Sequence, residues 1–252
     1  MKTIEISDVT HRLAENGSAL SFKERVEIAR TLDRLAVDQI ELPVLKDDTG
    51  DVLRNKTIAA VVSSARLSAA VGLTEESVEA AWESVKPARR PALHVTLPAS
   101  PVQMEYMCHK KAPAMLELAK ALVAKARSCT EHVEFSVLDA TRAEADFLHE
   151  LIAAVLEAGA EAVTLCDSAG IMTPDECAGF VRELLEKVPA LAKARVGVEL
   201  SDGMKMAAAC AAAAVDAGVT VINNDLLFSF ICIIIQKAHS YVFSYAFIVK
   251  WI

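Results

Sequence analysis

Charged, hydroxyl and amide side chains gather in this chain at short places, each at or just beyond a short run of strand-forming residues. The first is Asp8-Val9-Thr10-His11-Arg12, and Glu41 closes the second. Ser100 and Gln103 come next, followed by Glu134, Ser136, Asp139, Thr141 and Arg142 within nine residues. Asp167 with Ser168, then Glu199 with Ser201 and Asp202, and finally Asn223 with Asn224 complete the set. Carboxylates carry protons or hold cations, and a guanidinium presents a planar fork that matches a carboxylate. Arg12 and Arg142 therefore suit an organic acid as ligand. Both have a plainer use, which is to neutralise Glu41, Glu134 or Asp139, and the sequence leaves the two uses open.

The elements that must carry these groups alternate in type. Short β-type runs read as Thr3–Ile6, Gln39–Leu42, Leu67–Val71, Leu93–Leu97, His132–Phe135, Ala162–Cys166, Val196–Leu200 and Val219–Ile222. Between them lie helical patterns at 22–35, 52–62, 75–85, 112–126, 145–158, 175–188 and 204–217. In the first helix Val26, Ile28, Ala29, Leu32 and Leu35 recur at helical spacing among charged residues. Ser21 with Glu24 reads as a capping box, and Thr74 before Ser77 as an N-cap. Ala-Gly pairs at 158–159 and 217–218 end two helices where a positive φ is wanted. Eight β runs alternating with seven helices predict an α/β fold, a (β/α)8 TIM barrel, because parallel crossovers are right-handed. Such barrels place functional groups at the C-terminal strand ends, where all the groups above fall. The structural alternative is an open doubly wound sheet, but no Gly-rich phosphate loop follows the first strand.

Composition narrows the class. The chain has 252 residues, 53% hydrophobic, with 26 Lys+Arg against 34 Asp+Glu and a net charge of −8. That apolar content excludes a disordered chain, and the acidic balance argues against nucleic acid as partner. The six cysteines form no C-x-x-C pair and read as buried thiols rather than a disulfide set or a zinc cage. The first residues hold no apolar signal core, which predicts a cytoplasmic protein. A first domain is expected over 1–224. The remainder, 225–252, holds seven of thirteen aromatics and only three charged residues. Its two apolar runs are shorter than the roughly 20 residues of a membrane span. It reads as a divergent tail in place of the eighth helix, either packed as a helix or a frame-shifted end.

Several segments resemble one family. DVTHRLAENGSALSFKERVEIARTLDRLAVDQIEL is similar to the opening of the pyruvate-carboxyltransferase-type barrels, whose signature runs D-T-T-L-R-D-G-E-Q and on through a helix into I-E. SPVQMEYMCHKKAPAMLELAKALVAKA resembles the stretch S-D-I-H-M-E-Y-K-L of 2-isopropylmalate synthases. HVEFSVLDATRAEADFL resembles V-E-F-S-x-E-D-A-T-R, and VTLCDSAGIMTPDE resembles D-T-V-G-x-x-T-P. The family holds 2-isopropylmalate, homocitrate and citramalate synthases and hydroxymethylglutaryl-CoA lyase. Membership implies amino-acid biosynthesis by Claisen condensation of a 2-oxo acid with an acyl-CoA, or the reverse cleavage.

The resemblance also assigns roles. Arg12, Glu41 and Glu134 are the expected catalytic residues, with Arg12 stabilising enolate or carbonyl charge. Arg142, Ser168, Thr141 and Asp139 are the expected substrate-binding residues. The family's divalent cation is held by an acid after the signature arginine and by an H-x-H on the seventh strand. Those positions are Leu13, Glu199 and Ser201 here, so no metal ligand set is expected and condensation should be impaired or altered. Gln103 stands at the position of the family's histidine, leaving His11 and His109 as substitutes for proton transfer. A 2-oxo acid and an acyl-CoA are the expected partners, with no membrane, and the family habit leans toward a homodimer. The competing expectation is a metal-independent carboxylate-binding or regulatory paralogue without turnover, or a truncated inactive product.

Overall fold

The computed structural model describes residues 4–14, 20–46 and 49–224. Eight strands close into a parallel barrel in sequence order: β1 Glu5–Asp8, β2 Gln39–Leu42, β3 Arg66–Ala70, β4 Pro91–Pro98, β5 Val133–Leu138, β6 Ala162–Asp167, β7 Arg195–Leu200 and β8 Val221–Asn224. Closure runs through β1 and β8, with Glu5 opposite Val221 and Asp8 opposite Asn224. The helices are α1 Thr10–Leu13, α2 Phe22–Arg34, α3 Thr49–Val61, α4 Glu75–Val85, α5 Pro101–Cys108, α6 Ala112–Cys129, α7 Ala145–Glu157, α8 Pro174–Lys187 and α9 Ala207–Ala217. The expected barrel is therefore present. The tail expected at 225–252 lies outside the described residues.

The helix ends follow the local signals. Ser21 caps α2 through a full capping box with Glu24, and Thr74 accepts a hydrogen bond from the Ser77 amide. Gly159 and Gly218 take φ of 112° and 132°, where a side chain would strain the turn. Two short helices, α1 and α5, were not expected. Pro101 fits the first turn of α5, whose N-cap Ser100 accepts from the Gln103 amide.

Strand alternation divides two cores. Leu67, Leu93, Val95, Leu97, Val133, Phe135 and Val137 point outward and are fully buried beneath the helices. Each such side chain contributes roughly 1.5–3 kcal/mol of transfer free energy. The intervening residues point inward, because their side chains meet across strands that are not neighbours. Glu41 of β2 meets Asn223 of β8, Gln39 of β2 meets Glu134 of β5, and Arg195 of β7 meets Glu5 of β1. Branched apolar side chains usually fill such an interior; here it is mostly polar and charged. That content also explains two register differences. β1 and β8 each lie two residues later than the apolar runs suggested, since Ser7, Asp8, Asn223 and Asn224 are strand residues despite being polar.

Among the described cysteines none is bonded to another; Cys166, Cys177 and Cys210 are buried, while Cys108 and Cys129 are half-buried. No helix among the described residues is long and apolar enough to cross a membrane.

Candidate active site

Glu41 is the hub of the barrel's upper interior. Its strand places it inward, in register with Ser68 on β3 and within hydrogen-bond reach of Ser7 on β1, out of solvent. The Ser7 hydroxyl donates to Oε1 at 2.8 Å, and Asn223 Nδ2 donates to the same oxygen at 2.6 Å. Arg12 Nε donates to Oε2 at 3.2 Å. His94 Nδ1 lies 3.1 Å from Oε2, an ion-pair distance without hydrogen-bond alignment, while its Nε2 meets the Ser136 hydroxyl at 2.7 Å. Burial opposes ionisation of Glu41, but His94 and Arg12 outweigh it and hold the carboxyl at about 2. His94 is moved the other way: burial disfavours its charge, and Glu41 more than compensates, raising its pKa.

Arg12 stands on α1, directly after β1, and reaches two acids at once. Besides Glu41 it donates through Nη2 to Glu199 Oε2 of β7 at 2.5 Å. Burial raises the pKa of Glu199 against the pull of Arg12. Cys166 of β6 lies beside Glu199, and burial, then Glu199, pushes its thiol well above the ordinary range.

A second polar group forms the rim between β5 and β6. Arg142, in a 3-10 turn over Ala140–Arg142, donates from Nε to Asp139 Oδ1 at 2.7 Å. The Thr141 hydroxyl donates to Asp167 Oδ1 at 3.0 Å, and Ser168 Oγ accepts from the Asp139 amide at 3.0 Å. Asp167 also accepts from the amides of Gly170, Ile171 and Met172, fixing the loop between β6 and α8. That loop abuts the one after β7. A Cβ on Gly170 would sit 2.3 Å from the Ser201 carbonyl oxygen, and one on Gly203 would sit 2.6 Å from that of Ala169.

These positions sort the sequence expectations. Arg12 and Glu41 meet in one site, and Glu199 joins them. Arg142, Asp139, Thr141 and Ser168 form the adjoining rim, with no hydrogen bond or ion pair to Arg12 among the described residues. Glu134 is not at a strand end. β5 runs on to Leu138, so Glu134 lies deeper, held by Gln39 Nε2 at 2.5 Å and Arg195 Nη2 at 3.0 Å. Neutralisation of acids, the plainer use of the arginines, is what both Arg12 and Arg142 do in this structure.

The two candidate histidines are elsewhere. His11 is buried with neither ring nitrogen hydrogen-bonded; burial, then Arg25 and Arg54, pushes its pKa down to about 3. His109 is the exposed left-handed C-cap of α5. His94, Ser7 and Gln39 were missed. Their signal was alternation: His94 and Thr96 are the polar members of an otherwise apolar strand. A cavity of about 280 Å³ opens beside the rim, lined by Met104, Lys110, Lys111 and Phe147, apart from these groups.

Fold and site define a closed parallel barrel that presents its functional groups at the C-terminal end of its strands. The family is narrower than that class: residues 3–227 match the HMGL-like family model, and the chain belongs to that family. A 2-isopropylmalate synthase from Halalkalibacterium halodurans is 33% identical over 220 residues, covering 86% of this chain and 43% of that protein. One from Pelotomaculum thermopropionicum is 34% identical over 225 residues, covering 88% and 45%. The chain thus spans less than half the length of the curated relatives it matches. Among solved structures, hydroxymethylglutaryl-CoA lyase from Pseudomonas aeruginosa superposes with a TM-score of 0.73 at 18% identity, over 89% of this chain and 76% of that one.

The family is divalent-metal-dependent, and the residues at its ligand positions do not fit an ion. Leu13 has no lone pair and is exposed, Glu199 is paired with Arg12, and Ser201 is an exposed hydroxyl. Glu41, His94 and Glu134 do bring ligand atoms within 4.8 Å of one another. However, all four carboxylate oxygens of that trio already accept from Ser7, Asn223, Arg12, Gln39 or Arg195.

Proposed function

We propose that this barrel acts on a 2-oxo acid and an acyl-CoA, in the condensing sense of the 2-isopropylmalate synthases or the reverse cleavage. In the forward direction the acyl α-carbon loses a proton and bonds to the keto carbon of the acid. The former keto oxygen gains a proton, and water cleaves the thioester to release coenzyme A. The observation that carries this reading is Arg12 at the end of the barrel interior, its guanidinium fixed from behind by buried Glu41. A charge so held needs no reorganisation when negative charge develops on a substrate oxygen. Arg142, Thr141, Ser168 and Asp139 supply the rim where the acid's carboxylate docks, and Glu41 and Glu134 keep the interior charges in place. The synthase relatives at about one-third identity support the assignment. The protein works in the cytoplasm, as a homodimer, with neither nucleic acid nor membrane as partner.

The test is a thiol-release assay with acetyl-CoA and pyruvate, 2-oxoisovalerate or 2-oxoglutarate in turn. Release with one acid, lost in Arg12→Gln, is expected; no release with any acid, with or without Mn²⁺, overturns the reading. One observation favours a second reading, a carboxylate-binding barrel without turnover: Leu13 and Ser201 stand where the family carries metal ligands. Saturable binding of a 2-oxo acid without thiol release would establish it.

A further inference from the structure

We infer that Arg12 is the built-in cation of this barrel's mouth, and that Glu199, its exchangeable counter-ion, lets the site take a 2-oxo acid without a divalent ion. The inference rests on the 2-oxo acid reading above and specifies how that ligand is held. Two carboxylates from opposite sides of the mouth, Glu41 on β2 and Glu199 on β7, converge on one guanidinium. A divalent ion needs surrounding lone pairs, and here the oxygens that would supply them face N–H groups of a side chain that stays protonated at any working pH. Repulsion between the ion and the guanidinium adds to that mismatch. A neutral histidine at 199, as in the family's H-x-H, would offer Arg12 no counter-charge. Glutamate offers one, and so changes a position suited to holding metal into one that balances arginine.

The deeper acids are closed to an ion for the same reason. Glu41 Oε1 takes the Ser7 hydroxyl and the Asn223 amide, and Glu134 takes Gln39 and Arg195. An ion among Glu41, His94 and Glu134 would have to displace the Ser7, Asn223, Gln39 and Arg195 donors from the carboxylate oxygens they now occupy.

The two partners of Arg12 differ in access. The Glu41 side chain is 1% exposed and carries three further neighbours, whereas Glu199 and Arg12 are 20% and 19% exposed. Glu41 is therefore the permanent partner and Glu199 the one that yields. An incoming carboxylate or enolate oxygen takes the place of Glu199 Oε2 at Arg12 Nη2 and leaves the Glu41 contact intact. Glu199 is thus a positioning residue that occupies the anion's place until the ligand arrives.

Isothermal titration of the full chain tests this without turnover. Mn²⁺ titrated alone is expected to give no stoichiometric binding at millimolar concentration. In excess chelator, one acid among pyruvate, 2-oxoisovalerate and 2-oxoglutarate is expected to bind, and Glu199→Gln to bind it at least ten-fold tighter. A merely structural Glu199 would not strengthen ligand binding when neutralised. Stoichiometric Mn²⁺ binding, or acid binding that appears only with Mn²⁺, overturns the inference while leaving the acyl-CoA reading intact. Unchanged or weaker binding by a Glu199→Gln protein whose circular dichroism matches the parent overturns it too. Metal-free binding without thiol release leaves the inference standing and removes the turnover reading alone.

Discussion

Replacing Glu41 by glutamine tests whether the polar interior is the ordered construction described above. The substitution keeps shape but exchanges one acceptor oxygen for an NH2 group. In either orientation the amide nitrogen faces another N–H donor. Toward Ser7 and Asn223 it meets Asn223 Nδ2 at 2.6 Å, and turned the other way it meets Arg12 Nε at 3.2 Å. Arg12 would keep only the more exposed Glu199 as counter-charge. Removing one member of a buried ion pair costs about 3–5 kcal/mol, and one misdirected buried donor alone costs about 1–3 kcal/mol. The two overlap, so a loss of about 4 kcal/mol is expected. In urea, with a slope of roughly 2–3 kcal/mol per molar, the midpoint falls by about 1.5 M with the slope unchanged. Equilibrium unfolding followed by circular dichroism reads this directly. A loss below about 1 kcal/mol would mean that Glu41 behaves as a solvated surface acid, and the account of the interior would be wrong.

Asp33 makes a separate staple, accepting from the amides and hydroxyls of Ser63 and Ser64 and from the Ala65 amide at 2.7–2.9 Å. Partial burial opposes its ionisation, but those donors outweigh burial and hold its carboxyl well below the usual range. Its contribution is complete above the unfolded value of about 3.9 and is lost as pH falls below it. Asp33→Asn, which keeps one acceptor, should cost about 2 kcal/mol at pH 7 after discounting for solvent exposure, and the gap should close in urea titrations run at progressively lower pH. Gly170→Ala combines a φ of 63° with a Cβ 2.3 Å from the Ser201 carbonyl oxygen. It should lower stability by at least about 2 kcal/mol, whereas Gly179→Ala, with open space around it, should not; differential scanning calorimetry compares them. Cys166 is buried and its thiol is held protonated by burial and by Glu199. Mass spectrometry after iodoacetamide treatment of native protein should find it unmodified while half-buried Cys108 and Cys129 label.

Features set by neighbours in sequence were legible. The capping box of Ser21 and Glu24 and the positive φ of Gly159 and Gly218 need only a few adjacent residues to declare themselves. Alternation of elements likewise predicted the barrel, because outward-facing strand residues are apolar and make recognisable runs. The inward residues of the same strands misled. Polar Ser7 and Asn223 look like loop residues, which displaces both closing strands two residues toward the N-terminus, and ending β5 at Phe135, before Leu138, puts Glu134 at a mouth it does not reach. His94 was hidden by the same habit of reading polar as exposed. The Arg12–Glu199 pair spans 187 residues, and no local pattern marks it; only barrel closure brings β7 across from β1. The pairing of Arg142 with Asp139, three residues apart, was by contrast foreseen as one of two uses.

The mutual approach of the segments around Gly170 and Gly203 bears on how this barrel can diversify. With Met204 also donating its amide to the Gly170 carbonyl oxygen at 3.0 Å, the two loops are fastened into one stiff wall. Insertions or bulky replacements there would pry the wall apart, so new ligand preferences must be written into other parts of the rim. The helix after β4 is suited to that, since Val102, Tyr106 and Met107 face solvent and can change without disturbing a neighbour's packing.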